Sequence, residues 1–157
     1  MKIEFSDYFM LIAWICSLKS KDESTKVGAC IISKDNILLA TGYNGLCYGW
    51  DDKDFNWKEV DKNNYKYPFV VHAEQNCIAN LNSFQKPYAI YVTHFPCNEC
   101  AKLIIQKKIE KVFYLENKYE NDSIYLWSKK LFFKANIETI KLSKKKLKDI
   151  IKNNLII

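Results

Sequence analysis

The sequence predicts an α/β fold in which a mixed β-sheet is sandwiched between helices. Two early strand-like runs are joined by a short polar turn, the pattern of a hairpin. After residue 70, strand-like and helix-like segments alternate, which calls for crossover connections and parallel pairing. At 157 residues, 48% hydrophobic and 15% aromatic, the chain is large enough for one packed core without staples. No repeat, low-complexity tract or Gly/Ser linker divides it, so one domain over 1–157 is expected.

In chain order, Ser6 is expected to cap a first helix that runs to Leu18. Phe9, Ile12, Ala13 and Cys16, with Tyr8 and Ile15, recur at helical spacing and form its expected buried side. Val27–Ile32 and Ile37–Tyr43 are the hairpin strands, and Ser33-Lys34-Asp35-Asn36 between them supplies turn chemistry. Residues 44–71 read as a polar, irregular insertion, and loops of that length in a compact domain are commonly functional. A helix is then predicted from Ala73 to Leu81, a strand over Tyr88–Thr93 and a helix from Cys97 to Lys107. Strand Lys111–Leu115, helix 123–135, strand 137–142 and a helix from Ser143 complete the order.

The formal net charge is +6, and every basic side chain is a lysine. Any anion must therefore be held by ammonium groups, backbone N–H or hydroxyls, without a guanidinium fork. Lys21 and Lys26, close to the first strand, are candidates for such a contact. The dense run from Lys141 to Lys152 reads as a solvated helix face, and nucleic acid is not expected as a partner. No apolar run reaches the length of a membrane span, and Met1–Asp7 carries no signal-peptide pattern, so a cytoplasmic location is expected. Of the six cysteines, Cys16, Cys30 and Cys77 lie in apolar stretches and read as core, whereas Cys47 lies in the insertion with no assigned role.

Cys97 and Cys100 have ligand spacing, and they follow His72-Ala73-Glu74 in sequence. One imidazole and two thiolates fill three corners of a zinc tetrahedron and leave the fourth open, which favours catalysis over a closed structural site. His72 and Cys97 each fall where a strand or loop gives way to a helix. Helix N-termini favour the deprotonated ligands a metal requires. Pro96 suits such a helix start, and Cys97 and Cys100 share its first turn. Glu74, two residues from His72, points differently and can approach the open corner as a proton carrier without binding the metal. Alone, a Cys-x-x-Cys also suits a redox pair. Its occurrence in this order, with His-x-Glu upstream, points to a zinc-dependent nucleobase deaminase. His94 reads as a core or supporting residue, not as a fourth ligand.

Nearly the whole chain, from about Asp7 to Leu142, resembles the deoxycytidylate (dCMP) deaminase family of the cytidine deaminase superfamily. The resemblance rests on Tyr8-Phe9-Met10, Ser20-Lys21-Asp22, Val27-Gly28-Ala29-Cys30-Ile31, Gly42-Tyr43-Asn44-Gly45, Lys66-Tyr67-Pro68 and the run Phe95 to Gln106. It implies a three-layer α/β/α sandwich with a five-stranded mixed sheet, and zinc held by His72, Cys97 and Cys100. It also implies Glu74 as the proton shuttle and hydrolysis of dCMP to dUMP and ammonia, supplying thymidylate synthesis. Asn44, Ala73, Phe95 and Tyr119 are the substrate contacts it suggests. Many members are homo-oligomers, hexamers among them, that respond to dCTP and dTTP. This chain departs from the pattern at Cys47, where proline is common, and at Glu120-Asn121, where His-Asp is common. The competing readings are a relative acting on another nucleotide, nucleoside or tRNA base, and a non-catalytic binding protein that keeps zinc as a structural ion.

Overall fold

The structure is a computed structural model that describes residues 3–55, 57, 66–82 and 84–154. Helix α1 spans Phe5–Ser17 and is followed by strands β1 (Gly28–Ser33) and β2 (Leu38–Tyr43). These two pair antiparallel, with Gly28 opposite Tyr43, as the turn chemistry predicts. Asn36 takes the positive φ of 61° that closes the turn, a conformation asparagine tolerates better than most residues.

Two expectations for α1 are corrected. Its N-cap is Glu4, not Ser6, because the helix begins one residue before that serine. Tyr8 and Ile15 are exposed, since Phe9, Met10, Ala13 and Ser17 set the buried stripe and leave those two off it.

The insertion has more order than its polarity suggests. Within it, β3 (Gly45–Leu46) pairs antiparallel with β4 (Val70–Val71), bringing its two ends together. Trp50, Phe55, Trp57 and Phe69 pack edge to face, with Trp50 and Phe69 centroids 5.2 Å apart. Residues 56 and 58–65 of the predicted insertion lie outside the described residues.

Helix α2 (Ala73–Ala79) follows and ends two residues earlier than predicted. Then come β5 (Pro87–His94), α3 (Asn98–Gln106), β6 (Lys111–Glu116), α4 (Ser123–Lys134), β7 (Glu138–Lys141) and α5 (Lys144–Asn154). The five long strands form one sheet in the order β2-β1-β5-β6-β7. Strand β1 pairs antiparallel with both β2 and β5, while β5, β6 and β7 run parallel, so the sheet is mixed as expected.

Strand periodicity divides the core between two faces. Ala29, Ile31, Ile90, Val92 and Val112 face α2, α3 and α4, packing with Ala73, Cys77, Ala101, Ile104 and Phe132. Cys30, Ile32, Ala89 and Tyr91 face the other way onto Phe9, Met10 and Ala13 of α1 and Leu147 and Ile150 of α5. The result is the three-layer sandwich. Cys30 and Cys77 are buried core as read, Cys16 is partly buried, and Cys47 is exposed. Among the described residues no helix is long and apolar enough to cross a membrane.

Candidate active site

Strand β5, the middle strand of the sheet, delivers one half of the site. It ends at His94, and Phe95 and Pro96 turn the chain so that Cys97 becomes the N-cap of α3. Cys100 lies in the first turn of that helix and is fully buried. The other half comes from the insertion, where β4 ends at Val71 and His72 is the N-cap of α2. Gln75 fixes this start by accepting the His72 backbone N–H through Oε1 at 2.8 Å.

The two helix starts converge. His72 Nδ1 lies 3.5 Å from Cys97 Sγ and 3.3 Å from Cys100 Sγ, and the three donor atoms all fall within 4.8 Å of one another. Among the described residues no fourth histidine, cysteine or carboxylate joins this group. Glu74 is 4% exposed and sits beside the donors without belonging to them.

Electrostatics order the protons here. A hydrogen bond from Cys100 holds the Cys97 thiol down to about 4, against the effect of burial and with help from His72. The same hydrogen bond and burial raise Cys100 well above the ordinary thiol range. The bond with Cys97 raises His72 to about 9. Burial pushes Glu74 up to about 7, while His72 pulls it the other way. A half-buried imidazole and two buried thiols that share protons at such short range form a donor set whose protons a soft dication replaces. That chemistry fits zinc.

The cleft beside these donors is lined by Asn44, Ala73, Phe95 and Tyr119, the four substrate contacts that the resemblance suggests. Asn44 is also a structural clamp. Its Oδ1 accepts the Val27 N–H at 2.8 Å and its Nδ2 donates to the Thr25 carbonyl at 2.9 Å, which pins the chain leading into β1. Tyr119 stacks on Tyr125 of α4, with centroids 5.8 Å apart and planes 28° from parallel.

Sequence reasoning missed several cleft residues. Tyr125 reads as an ordinary helix position, yet it lines the cleft. His94 also lines it, with Nε2 3.5 Å from Glu116 Oε2, and stands apart from the metal donors as expected. Burial lowers the His94 pKa although Glu116 works against that. The lysine at the cleft is Lys66, not Lys21 or Lys26, both of which are exposed and absent from its lining. Asp22 and Lys66 belong to short runs that carry the family resemblance, but nothing in either run indicates that they meet.

The family described as "Cytidine and deoxycytidylate deaminase zinc-binding region" matches residues 3–116. The chain belongs to that family. It is 41% identical over 138 residues to the deoxycytidylate deaminase of Homo sapiens, spanning 86% of this chain and 78% of that one. The deoxycytidylate deaminase of Mus musculus is 40% identical over 152 residues, 95% of this chain and 85% of its own length. Among solved structures, the dCMP deaminase of cyanophage S-TIM5 in complex with dCMP and dUMP superposes with a TM-score of 0.71. That likeness has 27% sequence identity and covers 90% of this chain and 99% of that one. The zinc expected from the motif is the metal of the matching domain.

Proposed function

We propose that this deaminase hydrolyses dCMP to dUMP and ammonia, one water replacing the exocyclic amino group of the pyrimidine. The observation that carries the reading is the convergence of His72, Cys97 and Cys100 beside the uncoordinated, buried Glu74. His72, Cys97 and Cys100 would hold the zinc. When bound, zinc supplies Lewis acidity that activates the attacking water. Glu74 takes one proton from that water and delivers it to the ring nitrogen next to the reacting carbon, then takes the second from the newly formed hydroxyl and passes it to the departing amine, which leaves as ammonia. Its burial keeps the carboxyl out of competition with bulk solvent, so the proton stays within the cleft.

The Ala73 N–H and the Phe95 carbonyl orient the base, Tyr119 forms an aromatic wall, and Asn44 contacts the sugar or base edge while clamping residues 25–27. We extend the proposal to a single catalytic domain over 1–157 that works in the cytoplasm as a homo-oligomer, a hexamer or a dimer. In support of an effector response to dCTP and dTTP, a second cleft runs along Gly42, Tyr43, Gly45 and Cys47 and includes Lys19 and Lys21. Zinc-loaded protein should release ammonia from dCMP in preference to dCTP, cytidine or a tRNA anticodon loop. Equal rates on all four would sink the substrate assignment.

A further inference from the structure

The cleft also holds a polar group of residues distinct from the metal donors. Lys66 enters it from the C-terminal side of the insertion and is 2% exposed. Its Nζ lies 2.9 and 3.1 Å from the two Asp22 carboxylate oxygens, and it also donates to the Ser24 hydroxyl. Asp22 is 4% exposed. Its Oδ1 further accepts the Ser24 N–H at 2.8 Å, the Ser24 hydroxyl at 2.7 Å and the Thr25 N–H at 3.1 Å. Asp22, Ser24, Thr25 and Lys66 line the same cleft as His72 and Glu74.

A nucleotide whose reacting amino group reaches Glu74 must present its phosphate elsewhere in the cleft. The chain has no arginine, and Lys66 is the one lysine among the described residues that line it. Asp22 supplies the counter-charge that this buried ammonium needs. Burial opposes ionisation of its carboxyl, but Lys66, Ser24 and the N–H groups of the loop outweigh burial and hold the carboxyl below its ordinary value. Those donors also occupy its oxygens, so little of its charge is left to repel an anion. Ser24 is exposed, and its hydroxyl can yield its place on Lys66 to a phosphate oxygen.

Resting on the proposed reaction, we infer that Lys66, aimed by Asp22, binds the 5′-phosphate of the substrate together with the hydroxyls of Ser24 and Thr25. This contact makes the enzyme select a nucleotide over a nucleoside. The competing role is a plain tether that holds residues 66–72 against the loop leading into β1, and substrate comparison separates the two. In zinc-loaded Lys66→Met, KM for dCMP should rise about 10–100-fold, the scale of one charge-assisted hydrogen bond, with a much smaller change in kcat. Binding of dUMP should weaken by a similar factor, while binding of deoxyuridine stays within about threefold. Lys66→Arg should recover part of the loss.

Lys66→Met breaks a buried pair, so Ser24→Ala, on an exposed residue, provides a second arm. It should weaken dUMP about 3–10-fold and leave deoxyuridine unchanged. Equal losses for dUMP and deoxyuridine in either variant, or no loss for either ligand, would overturn the inference. Wild-type protein inert on dCMP would instead refute the reaction itself.

Discussion

Gly42 presses so closely on Ala73 that a Cβ at Gly42 would stand 2.5 Å from the Ala73 carbonyl oxygen. The same carbon would lie 2.4 Å from the backbone nitrogen of Cys77. Strand β2 and helix α2 therefore touch backbone to backbone, directly behind the residues that carry His72 and Glu74. Gly42→Ala should cost at least about 1–3 kcal/mol, the usual scale of overpacking, because backbone atoms cannot rotate aside. Thermal unfolding with parallel assays of dCMP turnover checks this. An unchanged Tm with full activity would show that α2 tolerates displacement.

Glu74 stands beside the metal donors without joining them, so charge removal and metal loss are separable there. Glu74→Gln should keep its zinc, measured by metal analysis, while kcat falls about 10²–10⁴-fold, as for a positioned acid–base group. Turnover close to wild type would refute its role as proton carrier.

Cys100 is fully buried in the first turn of α3. Cys100→Ala should purify without zinc and unfold at a lower temperature, because metal binding adds to folding free energy. A chelator should lower the wild-type Tm and leave that of the variant where it is. Zinc at full stoichiometry in Cys100→Ala would remove this cysteine from the ligand set.

The Asp22–Lys66 pair predicts a pH dependence with a definite sign. The Asp22 carboxyl lies below its ordinary value in the fold, so near and below that value the unfolded chain binds more protons than the native one. Its contribution to stability is complete above the ordinary carboxylate pKa and is lost as pH falls through the depressed one. Asp22→Asn should cost about 3 kcal/mol at pH 7, since it leaves a buried ammonium without its counter-charge. The difference from wild type should shrink as the pH drops below about 4. Urea unfolding of both proteins across this range tests it, and metal release in acid is common to the two and cancels. A gap that widens with acidification would contradict the assignment.

The legible parts of this molecule are those encoded over short spans. His72, Glu74, Cys97 and Cys100 sit in two runs whose internal spacing is fixed by a helix turn, so their chemistry can be read before any contact is known. Strand and helix order after residue 70 was equally readable from periodicity. The Asp22–Lys66 pair was not, because its members are 44 residues apart on irregular segments where no period links them. The start of α1 lies two residues earlier than Ser6 implies, because Ser6 is a strong capping type, whereas the fold uses Glu4 in an extended conformation and makes no side-chain cap. The insertion misled for a different reason. Its charged residues mask four aromatic rings that pack together in the fold although they are spread from residue 50 to residue 69.

The strand order ties the donor set to the seating of the central strand. His72 is placed by the β3–β4 pair and Cys97 by β5, which is held between β1 and β6. All three donors are therefore together only in a fold whose central strand is seated between its neighbours. Tight metal binding then reports an intact sheet, and displacing β5 would part the imidazole from the two sulfurs that share one helix turn.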